Sequence, residues 1–175
     1  MSNDPRRNIE IKARLTSLDA ARQIAASLAT KHLGVFEQVD TFFHCSSGRL
    51  KVRQVKGQPA ELIAYHRPDT SEAKTSNYHL IRIDEGGQLI AALSSSLGKL
   101  QTVRKVREVF LYHNVRIHLD HVENLGDFLE LESVVSGDVT ESTARQRLDE
   151  LVARFSIQKE DLKARAYADL LSEAR

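Results

Sequence analysis

Apolar and polar residues alternate with a period of two in many short stretches of this chain. Near its start, Asn8-Ile9-Glu10-Ile11-Lys12 sets the two isoleucines on one face and Asn8, Glu10 and Lys12 on the other. Far downstream, Phe128-Leu129-Glu130-Leu131-Glu132 does the same. Such alternation predicts strands. It predicts them over 8–15, 36–44, 48–56, 60–67, 77–83, 102–112, 115–121 and 127–135. Turns fall at Ser46-Ser47-Gly48, Gly57-Gln58-Pro59, Asp84-Glu85-Gly86-Gly87 and His113-Asn114. Pro68 stops the fourth strand, and the polar run 69–76 reads as a loop. Helical spacing appears over 18–30, where Ala21, Ile24, Ala25 and Leu28 follow Ser17 as N-cap. A short helix is expected over 89–97, closed by Gly98. Two more are expected over 140–155, capped by Asp138 or Thr140, and over 159–173, capped by Ser156. About eight antiparallel strands with a few flanking helices give an expected α+β class, and the sheet they form could be closed or nearly closed. Closure removes the open sheet edges.

The polar faces change the picture. On an ordinary antiparallel sheet they would point to water, paired across strands. Here Lys51 and Arg53, Arg67, Lys105 and Arg107, and Arg116 repeat the phase on strand after strand. The concave side of a curved sheet could gather them with the glutamates. Carboxylates would then hold a divalent cation and guanidinium and ammonium groups would clamp phosphates. Glu130 and Glu132 share one strand face, Glu10 can come from a neighbouring strand, and Asp120 is in phase with Arg116 and His118. The candidate metal ligands are therefore Glu10, Glu130 and Glu132, with Asp120 assisting. Candidate phosphate ligands are Lys12, Lys51, Arg53, Arg67, Lys105, Arg107 and Arg116. Glu10, Lys12 and Asp120 are the catalytic candidates. Other residues carry less. His118 is as well suited to a structural hydrogen bond as to catalysis. Tyr167 lies among apolar helix residues and suits core packing. Arg49 is expected to face outward.

The 175 residues suffice for one domain spanning 1–175 with a proper core, and neither a linker nor an internal repeat divides them. A formal net charge of +1 hides 25 basic and 24 acidic residues. That balance argues against a general nucleic-acid binder and leaves room for a local basic pocket. Cys45 is the only cysteine, which excludes an intrachain disulfide and suits a reducing compartment. His44 and Cys45 together are too few ligands for zinc. The N-terminal residues lack an apolar segment of signal-peptide length, and no apolar run reaches membrane-spanning length. A cytoplasmic protein without membrane partners is expected, and a homodimer is compatible with the sequence.

Several pieces, in order, resemble the CYTH superfamily, the fold of class IV adenylyl cyclases, thiamine-triphosphatases and inorganic tripolyphosphatases. They are Ile9-Glu10-Ile11-Lys12, Asp40-Thr41-Phe42-Phe43, Gly48-Arg49-Leu50-Lys51-Val52-Arg53, Tyr65-His66-Arg67-Pro68 and Val103-Arg104-Lys105-Val106-Arg107. The long piece from Val115 to Glu132 and the tail Ala166-Tyr167-Ala168-Asp169-Leu170-Leu171 complete the set. The resemblance implies an eight-stranded antiparallel tunnel with charged side chains filling its bore. It implies Mg²⁺ or Mn²⁺ as cofactor and a triphosphate small molecule as ligand: a nucleotide, thiamine triphosphate or inorganic tripolyphosphate. The family signature on the first strand is ExExK, and Asn8 stands where its first Glu is usual. The second Glu, here Glu10, is the one the resemblance implies to contact metal. Attack by water would hydrolyse a phosphoanhydride; attack by a ribose 3′-oxygen would cyclise ATP to cyclic AMP. With one carboxylate fewer, a non-catalytic polyphosphate or nucleotide sensor is the alternative.

Overall fold

The computed structural model describes residues 6–173. Eight strands appear in chain order: β1 (Arg6–Arg14), β2 (Lys31–Phe43), β3 (Arg49–Val55), β4 (Ala60–His66), β5 (Lys74–Ile83), β6 (Lys99–Tyr112), β7 (Val115–Val122) and β8 (Gly126–Val135). They close into an antiparallel barrel in the order β1-β5-β4-β3-β2-β6-β7-β8. The first strand is thus inserted between β5 and β8, bringing Glu10 opposite Glu132 and Lys12 opposite Glu130.

The barrel has a polar inside and an apolar outside. Ile9 and Ile11 of β1, Ile117 and Leu119 of β7, and Leu129 and Leu131 of β8 all face outward into one buried cluster. Helix α1 (Leu18–Leu28) and helix α3 (Glu141–Arg154) complete that cluster with Ala21, Ala25, Leu148 and Leu151. Ser17 caps α1 by accepting from the Ala20 N–H, and Thr140 caps α3 by accepting from the Thr143 N–H. Helix α2 (Gly86–Leu97) covers a smaller cluster on β3 and β4 through Leu89, Ile90 and Leu93. Its first residue must be glycine, because a Cβ there would lie 2.4 Å from Ala60 Cβ. A third cluster, Phe42, Val103, Phe128 and Tyr167 with Tyr65, Leu170 and Leu171, lies at one end of the barrel.

The expected strands are all present, some with displaced ends. Strand β2 begins at Lys31, and an irregularity between His32 and Gly34 carries it over the extra length. Strand β5 begins at Lys74, inside the expected loop 69–76. Its first residues are polar because Lys74 pairs beside Glu10 and Ser76 beside Asn8, toward a polar interior. A strand with little apolar alternation is hidden from a periodicity argument.

The expected helix over 159–173 is not continuous. A 3₁₀ turn covers Lys159–Asp161 and helix α4 covers only Tyr167–Glu173. Between them Leu162 bridges to Ala13, and the Lys163 N–H donates to the Lys12 carbonyl. The Lys74 ammonium donates to the Thr70 and Ala164 carbonyls, so the intervening backbone serves the barrel rather than a helix. Ser156 is not a cap: it takes φ +54 just after α3, and the Gln158 N–H donates instead to the Asp161 carboxylate.

Candidate functional site in the barrel bore

The inward faces enclose a cavity of about 710 Å³, within the range of ordinary ligand sites. Nine cationic and five acidic side chains line it. Every expected phosphate ligand is among them, as are Glu10, Glu130 and Glu132. Sequence reasoning missed Arg6, Asp40, Glu61 and Arg82, which also line it. The signal for Asp40 was its pairing with the lysine and arginine of the next strand: Asp40 lies opposite Arg53, and Phe42 opposite Lys51.

Two aspartates act as anchors for cations. Asp40 accepts from Lys51 Nζ at 2.7 Å, from Arg53 Nε at 3.1 Å and from Gln38 Nε2 at 3.1 Å. Asp120 accepts from Arg107 Nε and Nη2, both at 2.6 Å, from Lys105 Nζ at 3.1 Å and from the Tyr167 hydroxyl at 2.9 Å. Burial pushes both carboxyls up, but the paired cations outweigh it and hold both well below the usual range. The expectation that Asp120 is a metal ligand and catalytic group does not fit this geometry. Asp120 is fully buried, does not line the cavity, and has both oxygens taken by Arg107, with Lys105 and Tyr167 adding to Oδ2.

The wall made by β1, β7 and β8 is arranged differently. Cross-strand register builds one rung from Glu10, Glu132 and Arg116, and a second from Lys12, Glu130 and His118. Arg116 reaches Glu132 at 3.5 Å; Lys12 and Arg107 reach Glu130 at 3.9 and 3.3 Å. Burial, Glu130 and Glu10 together push the Glu132 carboxyl up, whereas Arg107 and Lys12 outweigh burial and pull Glu130 well down. Arg67, one residue past the end of β4, pairs with Glu10 through Nη1 and leaves Nε and Nη2 buried without partners. Burial lowers the Lys12 ammonium to about 7, with Glu130 opposing, and lowers Lys51 to about 8 with Asp40 opposing.

His118 is buried in this wall, and burial and the Arg107 charge lower its pKa well below the ordinary value. Ligand atoms of His118, Glu130 and Glu132 all lie within 4.8 Å of one another. The Nδ1 atom of His118 and the Oδ1 atom of Asn8 are buried without a partner among the described residues. A carboxylate that burial and its acidic neighbours push toward its protonated form stands beside a buried neutral imidazole, both donor types that a divalent cation takes. The donor set therefore fits a divalent cation.

Tyr167 is buried in the end cluster, as its apolar surroundings suggested, but it also belongs to the bore. Lys12 Nζ sits 3.8 Å and Lys105 Nζ 4.9 Å from its ring centroid. Arg49 does not simply face outward. It bridges Asp69 at 2.7 Å and Asp169 of α4 at 2.8 Å, tying the tail to the barrel. Cys45 is an exposed free thiol. No described helix is long and apolar enough to cross a membrane.

Comparison with known proteins agrees with the architecture. Adenylate cyclase CyaB of Aeromonas hydrophila is 22% identical over 174 residues, covering 95% of this chain and 89% of that protein. MJ0240 of Methanocaldococcus jannaschii is 24% identical over 138 residues, 77% of each chain. The PH1012 protein of Pyrococcus horikoshii superposes with a TM-score of 0.81 at 23% identity, covering 93% of this chain and 98% of that one. Such identities to solved structures establish the fold. The model of the CYTH domain matches residues 6–167, nearly the whole chain, and the protein is a member of the CYTH domain family.

Proposed function

We propose that this protein is a divalent-metal-dependent enzyme acting on a triphosphate held in the bore. The observation that carries the reading is the lining itself, in which cations outnumber carboxylates by nine to five around a cavity large enough for a nucleotide. That excess matches the several negative charges of a triphosphate. Arg53, Arg67, Arg116 and Lys51 clamp its oxygens, with the unpartnered Nε and Nη2 of Arg67 supplying two donors already stripped of water. Glu130 and Glu132, with Glu10 beside them on β1, would hold Mg²⁺ or Mn²⁺, which would supply charge neutralisation at the phosphates. Lys105 and Arg107, fixed by Asp120, stabilise charge developing on the reacting phosphoryl group. Lys12, lowered to about 7, accepts the proton of the attacking hydroxyl. Asp120 is a positioning residue in this scheme.

Cyclisation of ATP is the leading reaction, supported by the name of the Aeromonas relative. Hydrolysis of a phosphoanhydride uses the same clamp with water as nucleophile. The test is a panel of ATP, thiamine triphosphate and inorganic tripolyphosphate with Mg²⁺ or Mn²⁺. Cyclic AMP with pyrophosphate supports cyclisation, and orthophosphate release supports hydrolysis. Tight triphosphate binding with no turnover would replace the enzyme reading by a sensor with Asn8 in place of a carboxylate.

A further inference from the structure

We infer that His118 is a direct ligand of the divalent cation, giving a mixed site of one imidazole nitrogen with the carboxylates of Glu130 and Glu132, selective for a first-row transition ion over Mg²⁺. The inference rests on the proposed metal-dependent reading of the bore and specifies its donor set.

Three observations converge. Strand register places His118 directly opposite Glu130, one rung from Glu132. Ligand atoms of the three residues lie within 4.8 Å of one another, a span that one ion can bridge. His118 is 5% exposed, yet its Nδ1 has no hydrogen-bond partner among the described residues. A buried polar nitrogen left unpaired is costly, and an imidazole takes a metal ion through either of its ring nitrogens. The cations near this site leave room for coordination. Lys12 and Arg107 both approach Glu130 through Oε2, and Arg116 approaches Glu132 through Oε2. Mg²⁺ prefers an all-oxygen shell and keeps its waters, whereas imidazole favours later transition ions.

Pulsed electron paramagnetic resonance of the full chain loaded with Mn²⁺ alone tests this. A ¹⁴N coupling of directly bound nitrogen is expected, replaced by a ¹⁵N coupling when the chain is grown with ¹⁵N-histidine. That labelled sample needs no mutation, so the test survives an unstable variant. His118→Gln should abolish the coupling and lower Mn²⁺ affinity by at least about tenfold, the lower range for removal of even an outer-shell partner. Its Mg²⁺ affinity should change far less. Bound Mn²⁺ without nitrogen coupling would overturn the role of His118 and leave the metal-dependent reading standing. Coupling that persists in His118→Gln would assign the nitrogen to another histidine and also overturn it. Failure to bind either ion would remove both.

Discussion

On the wall formed by β2, β3, β6 and β7, Asp40 and Asp120 each accept from two cationic side chains and are held firmly ionised. On the wall formed by β1 and β8 with Arg116 and His118 of β7, Glu10 stands opposite Glu132, Glu130 lies two residues away, and Glu132 is pushed toward its protonated form. Both walls carry carboxylates in phase with lysine and arginine. What separates them is the ratio and the reach of the partners. A short aspartate beneath two longer cations is saturated and fixes their geometry. Glu132, opposite Glu10 and paired with Arg116 at 3.5 Å, is short of countercharge, whereas Glu130 is held ionised by Arg107 and Lys12. The first kind positions phosphate-binding groups; the second kind is the candidate ion site.

The largest effect expected from this contrast is on stability. Asp120→Asn takes from Lys105 its ion-pair partner and leaves Arg107, nearly fully buried like Lys105, only its longer contact with Glu130. Breaking a buried pair from one side costs on the order of 3–5 kcal/mol. Urea unfolding should show that loss, and a smaller one for Asp40→Asn, whose partners Lys51 and Arg53 are more exposed. Similar and small losses in both would erase the distinction between the walls' anchors.

Glu132→Gln should behave in the opposite way. It relieves repulsion from Glu130 and Glu10, so the metal-free protein should unfold no more easily than the parent. Metal-dependent turnover should fall to background. A variant fully active at limiting Mg²⁺ and Mn²⁺ would take Glu132 out of the site.

Ligand binding gives the next effect. Inorganic tripolyphosphate should stabilise the fold by mass action, about 2.7 kcal/mol at a hundredfold excess over Kd. Arg53→Ala should weaken tripolyphosphate far more than orthophosphate, because a longer anion meets more of the clamp. A melting temperature indifferent to tripolyphosphate would contradict the clamp altogether.

A smaller effect is expected at Asn8. Asn8 lines the same cavity as Glu10 two residues on, and its buried Oδ1 has no partner among the described residues. Asn8→Glu adds a carboxylate to the acidic wall and should raise divalent affinity or stoichiometry in calorimetric titrations. Unchanged values would place Asn8 outside the ion site.

The smallest effect is on protonation. Lys51 falls to about 8 in the folded state against an ordinary 10.5. Between those values the unfolded chain holds a proton that the folded one lacks. The cost of its burial is therefore complete below pH 8 and is relieved as pH rises toward 10.5. An anion in the bore raises the Lys51 pKa, so tripolyphosphate binding near pH 8.5 should take up protons. Calorimetry in buffers of different ionisation enthalpy would show the uptake, diminished in Lys51→Gln.

The amino-acid sequence by itself determined the strands, because the period-two pattern of Ile9 and Ile11 against Glu10 and Lys12, and of Leu129 and Leu131 against Glu130 and Glu132, is a local property of the chain. It also selected most of the bore's charged residues, since strand phase puts them on one face, but not Arg6, Asp40, Glu61 or Arg82. Where local pattern was silent, the sequence was silent too. The start of β5 is polar because it faces a polar interior, and 162–166 stays extended because Lys12 and Lys74 use its backbone groups. Only the tertiary structure decided which carboxylates are saturated and which are short of charge. That depends on register between strands far apart in sequence: Glu10 against Glu132, His118 against Glu130, Arg107 against Asp120. Phase gives the face on which a side chain lies, and closure of the barrel gives its neighbours. Electrostatic role is a property of neighbours, so it enters only when the barrel closes.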